Sequence, residues 1–114
     1  MLVYGFTEEK EGFMEIEDSL KAKQKFVGGY IEKTALTDRI DLICNEDGHR
    51  LNLTPRVIIL ENGKAINAII LGDRFVCRHD GRGNFVSIKK EDEKIIKEQL
   101  FYLNQEKLEI LGLL

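Results

Sequence analysis

A chain of 114 residues with 43% hydrophobic and 32% charged side chains is sized for one domain around one hydrophobic core, not for separate catalytic and substrate domains. No run approaches the roughly 18 consecutive apolar residues that cross a bilayer, so a membrane span is excluded. A net charge of −3 argues against a long nucleic-acid duplex as partner, because a dedicated duplex binder carries a strong positive excess.

LVYGFT and EGFMEIE flank a Glu-Glu-Lys-Glu-Gly turn and predict an N-terminal hairpin, although Phe13, Met14 and Ile16 alternate only in part. Asp18 or Ser19 can then cap a helix through SLKAKQKFV, with Leu20 and Val27 two turns apart on one face and Phe26 widening the stripe. Gly28 and Gly29 follow the last apolar residue of that helix. A phosphate loop normally follows a strand and precedes a helix, so that free amides point at the anion. Here the order is reversed, and the pair reads as a helix stop with a tight entry into the strand YIEKTAL.

YIEKTALT and IDLICNEDG are joined at Asp38-Arg39 in the manner of a hairpin, with Asp47-Gly48 as the next turn signal. Within Ile40 to Asn45, Leu42 and Cys44 share one face while Asp41, Ile43 and Asn45 share the other. Neither face is wholly polar, which predicts a central strand. Pro55, the single proline, restricts Thr54 to extended geometry and argues against a helix through HRLNLTPRVIIL. Glu61-Asn62-Gly63-Lys64 turns RVIIL into AINAIIL. After Gly72-Asp73, RFVCRH places Arg74, Val76 and Arg78 on one face and Phe75, Cys77 and His79 on the other, and Asp80 to Asn84 turns into FVSI.

From Lys89 the period changes. KKEDEKIIKEQLFYLN opens with acids, and Ile96, Leu100 and Leu103, broadened by Ile95, form an apolar stripe that predicts a helix ending near Asn104. The nearly all-aliphatic LEILGLL either packs on the domain's own core or docks on another subunit. Docking on a second copy is preferred, which makes residues 105–114 an oligomerisation tail and the protein a homo-oligomer. The fold class is α+β: residues 1–114 as a small single domain, an antiparallel β-sheet with two helices.

The succession KQKFVGGYIE, LICNEDG, a proline-arginine loop, AIILGDRFV and FVSIKKEDEKIIKEQ resembles an uncharacterised family labelled domain of unknown function 3846, found in phages, plasmids and other mobile elements of bacteria. The resemblance runs from about Met1 to about Tyr102 and is most specific over Val27 to Glu32 and Leu42 to Gly48. Where the family usually has leucine-proline-x-asparagine-arginine, this chain reads Leu53-Thr54-Pro55-Arg56 and lacks the asparagine. The resemblance implies a setting among small accessory proteins of mobile elements. It implies no reaction and supplies no catalytic residue.

Charge is divided unevenly along the chain. Residues 1–38 carry five lysines against eight acids, residues 39–90 nine basic residues against six acids, and residues 91–114 three against six. All six arginines, Arg39, Arg50, Arg56, Arg74, Arg78 and Arg82, fall in the central segment. Arginine suits forked contacts with carboxylate or phosphate, although solvated strand faces paired with nearby acids explain the same residues. Tyr30, Arg56, Arg74, Arg78 and Arg82 are the candidate ligand-binding residues, with Tyr30 or Phe75 available to stack a base.

Other chemistry is poorly supported. Cys44, His49, Cys77 and His79 match none of the usual zinc spacings, so no metal or cofactor is expected. The signatures GxGxxG, GxxxxGK[ST], GxSxG and HExxH are absent. A cysteine-histidine enzyme built on Cys77 and His79 needs a third group to orient the histidine, and Asp80 or Asn45 could be drafted for it. Glu46-Asp47 and Glu91-Asp92-Glu93 are explained by a turn and by the first turn of a helix. The N-terminus lacks the pattern of a secretion signal and the two cysteines read as free thiols, which places the protein in the cytoplasm of a bacterial host.

The expected role is therefore a non-catalytic accessory protein of a phage or mobile element, sequestering a nucleotide-like anionic signalling molecule as an anti-defence sponge. The alternative is a protein-protein inhibitor or adaptor that binds a host protein and mimics nucleic acid with Glu91, Asp92 and Glu93. A small cysteine/histidine enzyme is the third reading.

Overall fold

The structure is a computed structural model that describes residues 1–47, 55–61, 64–110 and 112. The expected turns at Asp47-Gly48 and Asn62-Gly63, together with His49, Arg50, Leu53 and Thr54, fall wholly or partly outside the described residues. In chain order the elements are β1 (Leu2–Phe6), β2 (Glu11–Glu15), α1 (Leu20–Val27), β3 (Ile31–Ala35), β4 (Ile40–Asn45), β5 (Pro55–Glu61) and β6 (Lys64–Leu71). They continue with β7 (Arg74–His79), β8 (Phe85–Val86), a 3-10 turn over Lys90–Asp92, α2 (Glu93–Gln99), β9 (Leu100–Tyr102) and α3 (Gln105–Ile110).

The strands pair antiparallel throughout and form two sheets, one in the order β2-β1-β7-β4-β3 with β8 beside the end of β7, and one in the order β6-β5-β9. This α+β architecture carries the expected alternation. Tyr4 and Leu42 both face Val76 in register, and these residues bury one face of the larger sheet against Val57, Ile96, Leu100 and Tyr102. Val3, Ile43, Phe75 and Cys77 occupy the opposite face and pack with Val27 and Phe26 of α1. β4 is buried along its whole length between β7 and β3, as expected of a strand with neither face wholly polar.

α1 begins and ends where its sequence says. Ser19 Oγ accepts from the Ala22 amide at 3.1 Å, a side-chain cap on an otherwise unpaired donor. At the other end Gly28 adopts φ 81° and its amide donates to Gln24 O at 2.8 Å, a left-handed stop that a Cβ would strain. Gly29 answers to a different constraint. A Cβ there would stand 2.9 Å from Asn45 Nδ2, and that amide donates to Val27 O at 3.1 Å. One glycine ends the helix and the next admits Asn45, so β4 is pinned to the end of α1. Replacing Gly28 with alanine is expected to cost about 1–2 kcal/mol, read as a lower midpoint in chemical denaturation.

The expected helix from Lys89 to Asn104 is shorter than its stripe suggests. It ends at Gln99, and Leu100–Tyr102 instead form β9 against β5, with Tyr102 opposite Val57 and Leu100 opposite Ile59. In strand geometry Leu100 and Tyr102 turn inward while Phe101 turns out, and Tyr102 Oη donates to Thr7 O at 2.7 Å. Pairing the edge of β5 and burying two large side chains outweigh the helical register. A third helix, α3, follows, capped by Asn104 Oδ1 accepting from the Lys107 amide at 2.8 Å. Part of the aliphatic tail thus packs on its own domain, since Leu108 is buried; Ile110 remains 75% exposed.

Candidate functional site

The larger sheet separates the residues that composition had grouped. Arg74 and Arg78 share a face of β7 but stand four residues apart, about 13 Å along a strand. Arg74 is fully buried and turns back to donate from Nε and Nη2 to Gly72 O at 3.1 and 2.7 Å. Arg78 forms a bidentate pair with Asp92, Nε to Oδ2 and Nη2 to Oδ1, both at 2.6 Å. Asp92 also accepts from the Lys89 amide at 3.0 Å. The guanidinium holds the Asp92 carboxyl below its ordinary range. Asp92 is buried, so of the acids that could mimic nucleic acid only Glu91 and Glu93 have any surface to offer.

Tyr30 and Arg82 lie at opposite ends of the sheet. Tyr30, 68% exposed, precedes Ile31, whose partner is Asn45, and its carbonyl accepts from the Glu46 amide at 3.0 Å. Arg82 is exposed on the turn between β7 and β8, beyond the end of the strand where Arg78 faces Ile40. The Arg56 side chain lies outside the described residues. Phe75, the other aromatic considered for base stacking, is fully buried against Phe26 with ring centroids 5.2 Å apart, edge to face.

A concave surface exists elsewhere. An open groove of roughly 830 Å³ runs along α1, lined by Ile16, Glu17, Ser19, Lys21, Ala22, Lys25 and Phe26. The helical period explains its chemistry. Lys21 and Lys25 are one turn apart on the groove side, and Ala22 and Phe26 form the adjacent apolar row. Lys23 falls on the opposite side, buried, with Nζ 3.0 Å from Asp18 Oδ1. Phe26 can lie low because Gly5 has no side chain: a Cβ there would stand 3.0 Å from Phe26 Cζ and 2.6 Å from Met14 Sδ. The result is an apolar floor beside two ammonium groups, with Glu17 as the single acid of the lining.

The third polar feature is a buried pair on the α1 side of the sheet. Asp41 stands directly across from Cys77, and its Oδ2 lies 2.6 Å from His79 Nδ1. With Asp41 as carboxylate, Nδ1 is the donor. Asp41 therefore supplies the orienting group that Asp80 and Asn45 do not: Asp80 is consumed by its own turn and Asn45 by α1. The thiol does not complete a nucleophilic site. Cys77 is fully buried, and burial with Asp41 opposite pushes its pKa up to about 12. Burial likewise raises Cys44. Both thiols are expected to label with a thiol-specific reagent at pH 8 at the rate of unfolding; immediate labelling of the native protein would contradict their inertness.

The groove was missed because KAKQKFV reads as a solvated lysine face; the repeated i, i+4 pairs Lys21/Lys25 and Ala22/Phe26 were the available signal. The Asp41–His79 pair spans 38 residues and leaves no local trace. Among the described residues no group of three or more potential ligands could hold a metal ion, and no helix is long and apolar enough to cross a membrane. In comparison with known proteins, the family described as Domain of unknown function (DUF3846) matches residues 2–101, so the chain belongs to that family. No curated protein and no solved structure matches.

Proposed function

We propose that this family member is a non-catalytic accessory protein of a phage or other mobile element that sequesters a nucleotide-like anionic signalling molecule, with the α1 groove as its binding surface. The observation that carries this reading is the groove's composition. Ile16, Ala22 and Phe26 offer an apolar bed for a flat ring, and Lys21 and Lys25 offer paired charges for a phosphate. The acidic balance of the whole chain is compatible with this, since a small anion answers to local charge and needs no basic global field. This relocates the binding residues from the central arginines to α1. The mobile-element setting and the bacterial host rest on the sequence resemblance, and the cytoplasmic placement on two cysteines that remain free thiols. Assembly into a homo-oligomer belongs to the same reading and is supported by the exposed apolar Ile110.

Titration of the full chain with a panel of nucleotides and cyclic dinucleotides tests the proposal. At least one is expected to bind, and the double substitution Lys21→Glu, Lys25→Glu is expected to weaken it by about 100-fold, two charge-assisted contacts at about tenfold each. Absence of binding across the panel, or affinity unchanged in the double variant, would overturn the assignment to this groove. A stable host-protein complex without a retained small molecule would favour the adaptor reading instead.

A further inference from the structure

A different end of the molecule carries charge that the α1 groove does not use. The turn between β3 and β4 and the turn between β7 and β8 lie side by side, because Ile40 faces Arg78 and the His79 amide donates to Arg39 O at 3.0 Å. Most charged groups here are already engaged. Arg78 is paired with Asp92 and His79 with Asp41. The Asp80 carboxylate accepts from the Arg82 amide at 2.8 Å, the Asn84 amide at 2.9 Å and Asn84 Nδ2 at 3.2 Å, so it is locked into its own turn. Those donors also hold its carboxyl below the ordinary range.

What remains is unequal. Arg39 and Arg82 are both exposed, and neither side chain makes a hydrogen bond or ion pair among the described residues. Arg39 lies over the neighbouring turn: a Cβ placed on Gly81 would stand 4.0 Å from its Nη1. His79, with Nδ1 committed to Asp41 and its side chain 22% exposed, keeps Nε2 as its remaining polar atom. Asp38, exposed in the first turn, and the Asp80 carboxylate, whose hydrogen-bond donors are all uncharged amides, are the competing charges.

We propose that these two turns form a phosphoryl-binding site, in which the Arg39 and Arg82 guanidinium groups hold the oxygens and His79, oriented by Asp41, contributes a third contact in its imidazolium form, where Nε2 carries a proton to donate. The ligand class is a small molecule bearing an exposed phosphate, which two guanidinium forks suit better than ammonium groups. This site is independent of the α1 groove. The sheet provides its precision, since β4 and β7 fix where both turns stand.

Inorganic phosphate titrated into isotope-labelled full-length protein, at constant ionic strength made up with chloride, is the direct test. Saturable amide shifts at Arg39 and at residues 79–83 are expected. The substitutions Arg39→Ala and Arg82→Ala together should weaken the midpoint at least about tenfold, Asp38→Asn should strengthen it, and His79→Gln should weaken it while leaving the arginine-centred shifts in place. Shifts centred on Lys21, Ala22 and Lys25 instead would overturn this site while supporting the groove. Shifts that follow ionic strength alone, or that persist unchanged in the double arginine variant, would overturn it outright.

Discussion

Replacing Arg78 with alanine is expected to destabilise the protein by about 3–5 kcal/mol, the cost of leaving a buried charge without its partner. The asymmetry of the pair sets the magnitude. The Arg78 side chain is 23% exposed but that of Asp92 only 2%, so the variant leaves a largely covered carboxylate with the Lys89 amide and such water as enters the vacated guanidinium space to serve it. A surface arginine kept for a ligand would change stability by no more than about 0.5 kcal/mol. Chemical denaturation therefore separates the two roles. The pH dependence adds a signed check. The native Asp92 carboxyl is held below its unfolded value, so its contribution is complete above about pH 4 and is lost as pH falls through the lowered native value. In the Arg78→Ala variant that acid limb should shrink; a limb identical to that of the parent would show that the pair does not govern it.

Phe75→Ala is expected to cost about 3–5 kcal/mol, as for other fully buried phenylalanines. Phe75 is closed in by Val3, Ile43, Cys77 and Val27, and it makes an edge-to-face contact with Phe26. Its loss has a second consequence. Phe26 forms part of the groove floor, so removing its support should lower anion affinity even at temperatures where the variant remains folded. Were Phe75 instead a surface platform for a base, the variant would lose binding with its stability intact. Calorimetric melting measured beside nucleotide titration distinguishes these outcomes.

The sheet was largely legible in the sequence because its inner strands carry period-two information over their whole length, even where polar residues share a face with apolar ones. Arg74, Val76 and Arg78 separate from Phe75, Cys77 and His79 on β7, and Leu42 separates from Ile43 on β4, as the burial of both faces bears out. Ends of elements were legible where one residue decides them, as Ser19 and Gly28 do for α1. The start of β9 was not, because Ile96, Leu100 and Leu103 satisfy a helical stripe as well as a helix that gives way to an inward-facing strand residue. Only the open edge of β5 breaks that tie, and it lies some forty residues earlier in the chain.

Function was harder to read for the same physical reason. Arginine content is a one-dimensional count, whereas a site requires that side chains converge. Asp92 claims Arg78 from 14 residues away and Asp41 claims His79 from 38, and neither pairing follows from local spacing. Gly72 claims Arg74 from two residues away, which spacing alone allows but does not require. Conversely, Lys21, Lys25 and Phe26 become a lined groove only once Ile16 and Glu17 are laid beside α1.

Native mass spectrometry of the purified protein, repeated after denaturation, tests anion sequestration most directly. The expected result is an oligomer carrying a nucleotide-sized adduct that leaves on denaturation and is missing from the Lys21→Glu, Lys25→Glu variant. A bare chain from cells that contain the candidate nucleotides, or an adduct retained equally by the double variant, would contradict it.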